Sequence, residues 1–432
     1  MTLLESAVQG KTTTEMEQVA LKEGVNPEFV RQGIAKGTIV LLGSSRRQNV
    51  RPVGIGKGLK TKVSASIGLY GEESSIDAEV DKICAAVEAG TDTIMDLSVS
   101  GDIDQMLKKT LETTTTPVGT LPLYQALAEA GRKYGSSTKM EVEELFEVIE
   151  RHAALGVDFL ALHCGMTMSI VERAKNTKRL DPLVSYGGSH LIGWMVANNK
   201  ENPLYEHFDR VLDIAKKYDV TLSFADGMRP GCLADSMDAA QVDEMLILGE
   251  LVLRCREAGV QVMVKGPGHL PLNKLKETVV LEKNLCHGAP YFVFGPLVTD
   301  IAVGYDQINA AIGGALSAWA GAEFLCYVTA AEHVGIPNRD QVREGVIAAR
   351  IAAHAGDIAK GLPGAREWDL KLSTARRELD WDQQMKLALD PVHAKKMRDA
   401  RMGSGESGCA MCGKYCAVKI VSKYLKTKRQ SC

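Results

Sequence analysis

Eight short apolar runs set the strongest limit on what this chain can fold into. They span residues 62–68, 92–98, 116–123, 159–165, 183–189, 221–227, 261–268 and 291–297. Most are followed by stretches of helical period, for example 75–89, 139–155, 206–217 and 238–258. Apolar runs alternating with amphipathic helices call for a parallel sheet covered on its faces. Eight such units in about 240 residues match a (β/α)8 barrel. No GxGxxG follows the first run to favour an open doubly wound sheet. The expectation is an α/β fold with a TIM-type barrel over 61–335. A helical segment, 1–60, precedes it; Thr12-Thr13-Thr14-Glu15 and Asn26-Pro27-Glu28 are helix starts. A helical region, 336–402, follows, with candidates at 339–355, 368–379 and 381–389, and then a linker and tail, 403–432.

The runs end in chemistry. Their C-terminal residues include Ser66-Ile67-Gly68, Asp96-Leu97-Ser98, His163-Cys164-Gly165, Ser185-Tyr186-Gly187-Gly188, Asp226-Gly227-Met228-Arg229 and Gly266-Pro267-Gly268-His269. In a barrel these ends form the mouth that carries the active site. Turn geometry accounts for the glycines, but not for His, Asp, Arg and Lys recurring at one structural place. Gly187 and Gly188 are expected to offer N–H groups to a phosphate. Asp226 and Arg229 also read as a rim ion pair, and Lys265 as a lysine snorkelling outward.

With 51 basic against 54 acidic side chains, the net charge is -3. Neither nucleic acid nor an anionic membrane is expected as a partner. Met1-Thr2-Leu3-Leu4-Glu5 lacks the basic start of a signal peptide. The most apolar window, 310–331, holds Glu323 and three glycines and reads as a buried helix, not a membrane span. A cytoplasmic location is expected.

Ten cysteines are too dilute for a disulfide scaffold. Cys84, Cys164, Cys232, Cys255, Cys286 and Cys326 lie singly in apolar stretches and read as packing, with Cys164 nearest the site. Cys432 is unassigned. Cys409, Cys412 and Cys416 crowd into eight residues, behind a flexible Gly403-Ser404-Gly405-Glu406-Ser407-Gly408 linker. Three thiolates so spaced suit a [4Fe–4S] cluster with one iron open for S-adenosylmethionine, or a zinc that still needs a fourth ligand. The basic stretch 414–429 reads as a solvated helix.

Further stretches extend the pattern: Met95-Asp96-Leu97-Ser98, Pro117-Val118-Gly119-Thr120, Tyr124-Gln125-Ala126-Leu127, Gly295-Pro296-Leu297-Val298-Thr299-Asp300 and Ala331-Glu332-His333. With the cysteine cluster, they resemble the phosphomethylpyrimidine synthase family of radical S-adenosylmethionine enzymes over nearly the whole chain. The resemblance implies a barrel that binds 5-aminoimidazole ribotide. It implies an external electron donor and a homodimer whose cluster tail caps the partner's barrel. It places the [4Fe–4S] cluster on Cys409, Cys412 and Cys416, and a divalent metal, zinc or similar, on His269 and His333. Ribotide contacts fall on Met95, Tyr124, His163, Ser185, Gly187, Asp226 and Arg229. Gly227 and Met228 lie in the same segment. No acid or base is assigned.

The departures cluster at the mouth. The family's Asn-Ala-Asn-Ile-Gly is Ser64-Ala65-Ser66-Ile67-Gly68, and its Ser-Arg-Gly-Gly is Ser185-Tyr186-Gly187-Gly188. The Glu of Glu-Gly-Pro-Gly-His is Lys265, an expected Tyr is Phe292, the His of Gly-Tyr-Asp-His is Gln307, and the Pro before that Gly-Tyr is Val303. Ser66, Tyr186, Lys265 and Phe292 therefore join the candidate site. A kept scaffold with a rewritten mouth points to altered chemistry on a similar substrate. The paralogous 5-hydroxybenzimidazole synthases, which serve cobamide synthesis, fit that description. Hydroxymethylpyrimidine phosphate synthesis for thiamine is the alternative. A non-radical, metal-dependent sugar-phosphate lyase with a zinc tail is the reading from another class.

Overall fold

The computed structural model describes residues 1–43, 46–47, 49–71, 74–400 and 415–425. It divides into two compact units, Met1–Lys360 and Gly361–Cys432. Helices Leu3–Val8, Thr14–Glu23 and Pro27–Ala35 open the chain, the last two capped by Thr13 and Asn26. An antiparallel pair that the sequence did not announce follows, β1 (Ile39–Leu42) and β2 (Val53–Gly56).

Eight parallel strands then close into a barrel. They are β3 (Lys62–Ile67), β4 (Thr93–Asp96), β5 (Val118–Thr120), β6 (Phe159–Leu162), β7 (Thr221–Phe224), β8 (Val262–Gly266), β9 (Tyr291–Phe294) and β10 (Phe324–Cys326), with β10 bonded back to β3. The β1–β2 pair seals the end where the strands begin. Gln261, just before β8, exchanges bonds of 2.8 and 3.1 Å with the Leu41 main chain. Arg47 reaches Asp158, just before β6, at 2.9 Å. The opposite end is left for a site.

Three expectations are corrected. Residues 183–189 are not a strand. Ser185 caps helix Tyr186–Asn198 by accepting from Gly188 N–H at 3.2 Å. A serine followed by paired glycines starts a helix here, since the serine caps it and glycines give a strand nothing to pack. The eighth strand is β10, inside the window read as one buried helix. Helix Asp306–Ala320 ends at Gly321, whose φ of 129° breaks the helix. Phe324 then pairs with Phe292 and Lys62 and stacks on the Phe292 ring at 3.9 Å. The run 116–123 is also shorter than expected, because Pro122 starts helix Pro122–Tyr134.

Helix Arg339–Lys360 belongs to the barrel unit and packs on helices Asp306–Ala320 and Ile76–Glu88. The second unit contains helices Ala365–Glu378, Trp381–Leu387, Pro391–Asp399 and Ala417–Tyr424. Cys416 stands at the N-cap of the last. Cys409, Cys412, Cys432 and the glycine–serine linker lie outside the described residues. No described helix is long and apolar enough to cross a membrane.

Candidate active site

The strand C-termini gather the candidate residues into two neighbouring groups and a histidine pair. In the first group, His163 follows β6 and is buried. Its Nε2 lies 3.1 Å from Ser185 Oγ, and its Nδ1 has no hydrogen-bond partner among the described residues. Burial, aided by the Arg229 and Lys265 charges, lowers its pKa to about 3, so the ring is neutral. Gly187 packs directly on this ring. Tyr124, whose pKa is raised by burial, meets Tyr186 edge-on at 4.9 Å. The expected phosphate nest is not free: Gly188 N–H is bound to Ser185 Oγ, and Gly187 N–H faces the Tyr124 hydroxyl.

The second group is electrostatic. Asp226 follows β7, and neither of its buried carboxylate oxygens accepts a hydrogen bond among the described residues. Arg229 Nη1 stands 3.6 Å from Asp226 Oδ1. Burial raises the Asp226 pKa to about 6 against the pull of Arg229 and Lys265. Lys265 on β8 is only 7% exposed, so it does not snorkel outward. Its Nζ lies over the rings of Phe292 and Phe294 at 5.2 and 5.3 Å, and the Arg229 guanidinium lies over Phe294 at 5.4 Å. Met95, Met228 and Phe292 are wholly buried, with the Phe292 ring under the Lys265 ammonium. Ser66 Oγ lies 3.7 Å from Cys326 Sγ at the end of β10. Cys326, not Cys164, is the cysteine at the mouth: its thiol feels Lys265, whereas the Cys164 thiol is buried toward Cys255.

The histidine pair completes the rim. The His269 and His333 rings are 5.4 Å apart, centroid to centroid. Each Nδ1 lies 3.0 Å from a carboxylate, Asp300 for His269 and Asp306 for His333. A carboxylate on Nδ1 fixes the tautomer that leaves Nε2 as the ligating atom. Among the described residues no third His, Cys, Asp or Glu joins them, so a metal here would complete its shell with water or substrate.

Sequence reasoning missed Glu244, Phe294, Cys326, Glu332, Asp300 and Asp306. The two aspartates were legible: a metal-bound imidazole ordinarily has a carboxylate behind it, and both fall in or beside quoted motifs. Glu332 is solvent-accessible within the mouth yet enclosed by protein, and burial raises its pKa. Glu244 is an acid on the apolar stripe of helix Ala239–Ala258. It accepts Gly227 N–H at 2.8 Å and Met228 N–H at 2.7 Å, which fixes the Asp226–Arg229 turn. Burial raises its pKa to about 8 despite those bonds, and the Asp226 charge adds to the rise. In Glu244→Gln an NH2 would oppose one of the two N–H donors. Leaving one buried donor unmade costs roughly 1–3 kcal/mol. Chemical denaturation should register that loss, and an unchanged midpoint would refute the cradle.

The chain matches the family described as Radical SAM ThiC over residues 2–423. The chain belongs to that family. Among curated members of the radical SAM ThiC family, it is 75% identical to 5-hydroxybenzimidazole synthase BzaA of Moorella thermoacetica, with 100% of both chains covered. It is 61% identical to the Eubacterium limosum protein of the same name, covering 99% of this chain and 100% of that one. It is 54% identical to the phosphomethylpyrimidine synthase of Moorella thermoacetica, again over 100% of both. Membership implies S-adenosylmethionine and an iron–sulfur cluster.

Proposed function

We propose that this enzyme rearranges 5-aminoimidazole ribotide into 5-hydroxybenzimidazole by radical S-adenosylmethionine chemistry. One observation carries the choice of product. Two relatives from one organism differ in name, and the chain shares 75% identity with the 5-hydroxybenzimidazole synthase against 54% with the pyrimidine synthase. Species divergence cannot produce that gap. Family membership sets aside the non-radical lyase.

Cys409, Cys412 and Cys416 would hold a [4Fe–4S] cluster. They are three thiols in a short segment, and the described one, Cys416, is free of any disulfide. When bound, the cluster and S-adenosylmethionine supply a 5′-deoxyadenosyl radical. His269 and His333 fit a divalent ion, since each is backed by a carboxylate. The barrel's own residues bind and orient. Asp226 offers two unclaimed acceptors to the amino and hydroxyl groups of the ribotide. His163 offers an unclaimed Nδ1, and Arg229 and Lys265 supply positive charge. An external electron donor, a cytoplasmic setting and a homodimer with the tail over the partner's barrel complete the reading.

The deciding assay incubates anaerobically reconstituted enzyme with 5-aminoimidazole ribotide, S-adenosylmethionine and dithionite, then identifies the product by mass. 5-Hydroxybenzimidazole is expected. Hydroxymethylpyrimidine phosphate would overturn the proposal in favour of thiamine synthesis.

A further inference from the structure

Two cations lie over one aromatic ring in the barrel mouth. Arg229 stands 5.4 Å from the Phe294 centroid and Lys265 stands 5.3 Å from it. Gly268 packs against the same ring: a Cβ there would lie 2.8 Å from Phe294 Cδ1. Lys265 is 7% exposed, and among the described residues no hydrogen-bond or ion-pair partner reaches its Nζ. Arg229 has only long contacts with Asp226, 3.6 Å to its carboxylate and 3.5 Å to its main-chain oxygen. Asp226 and Glu332 are the carboxyls within electrostatic reach of both cations, and burial raises the pKa of each. Cys326, whose pKa burial raises, and His163, whose pKa burial lowers to about 3, are the other titratable neighbours of Lys265. A largely buried lysine whose ammonium faces two rings and no anion is a costly arrangement unless a ligand supplies the anion.

We infer that Lys265 and Arg229, set on Phe294, form an anion receptor for a phosphate monoester. A dianion suits two cations placed about one ring, whereas a single carboxylate would match one of them. Arginine receives phosphate as a planar fork and lysine as a point charge. The two donors together fix both the orientation and the depth of the group. The inference rests on the proposed function only for its natural ligand, which would be the ribotide phosphate. The other anion at hand is the carboxylate of S-adenosylmethionine.

The test uses the full-length protein without turnover. Binding of ribose 5-phosphate and of S-adenosylhomocysteine is measured by calorimetry at fixed ionic strength, for wild type, Lys265→Met and Lys265→Arg. Lys265→Met should weaken ribose 5-phosphate at least tenfold and leave S-adenosylhomocysteine unchanged. Lys265→Arg should stay within about threefold of wild type. Without ligand, Lys265→Met should melt at or above the wild-type temperature, because an unpaired buried charge has gone. A merely structural lysine would instead lower it. Undiminished ribose 5-phosphate affinity in Lys265→Met would overturn the receptor. Loss of S-adenosylhomocysteine alone would overturn the phosphate assignment in favour of the carboxylate. Neither result depends on product identity, so a wrong product in the turnover assay leaves this outcome standing.

Discussion

Gly187→Ala should abolish measurable turnover, lowering kcat/KM by at least two orders of magnitude, while the barrel stays folded. The added methyl would lie 2.3 Å from His163 Cε1, 2.9 Å from Nδ1 and 3.0 Å from Nε2. His163 is buried and held by Ser185, and Ser185 also caps the helix on which Gly187 sits. Neither partner can retreat without breaking the other's bond. Overpacking of this kind costs roughly 1–3 kcal/mol, a loss that a protein with so large a core survives. A misplacement of about 1 Å at a site can cost a hundredfold in rate. Gly193 is the control. It lies on the same helix with nothing within 4 Å of its would-be Cβ, so Gly193→Ala should add up to about 1 kcal/mol through helix propensity. Turnover and thermal melting of both variants decide the matter. If the two behave alike, the contact with His163 is not what governs this position.

The contrast between those two glycines shows what a sequence conveys and what it withholds. Barrel class was legible because apolar runs and helical periods alternate, and seven of the eight runs were in place. The failure at 183–189 and the omission of β10 have one cause. β10 has three residues, Phe324–Cys326, directly after an alanine-rich helix. Its identity as a strand comes from pairing with Lys62–Ser64 and Phe292–Phe294, contacts no local window contains. Conversely, 183–189 looks strand-like only until the Ser185 cap is recognised. The site divides in the same way. His163, Asp226, Arg229 and Lys265 announced themselves at run ends. Phe294 and Cys326 matter because of which strands flank them. Glu244 acts across from another element, and its only local mark is an acid within an apolar stripe.

Glu282→Gln should stabilise the protein at pH 8 and leave it nearly unchanged at pH 5. Glu282 lies on helix Leu272–Leu285, is 1% exposed, and neither carboxyl oxygen has a hydrogen-bond partner among the described residues. Burial raises its pKa to about 8; Lys283 pulls it down and Glu323 pushes it up. Lys283 is engaged by Glu323 at 2.7 Å, so its charge is largely spoken for. The unfolded chain releases this proton near 4.5, the folded chain only near 8. Between those values the native state binds more protons than the unfolded one, so the wild-type carboxyl lowers stability as pH rises through that window. Below about 4.5 the burden is absent. A glutamine is neutral throughout and close in shape to the protonated acid, so the variant should match wild type at pH 5. By pH 8 it should lead by roughly 2–4 kcal/mol. His152 and His163, with pKa values lowered to about 3 by burial, act in the opposite sense and only below about 6.5. They affect wild type and variant alike and cancel in the difference. Denaturant unfolding of both proteins at the two pH values is the measurement. An equal offset at pH 5 and pH 8 would mean that Glu282 is ionised in neither state or in both, and the account of a buried, protonated carboxyl would fail.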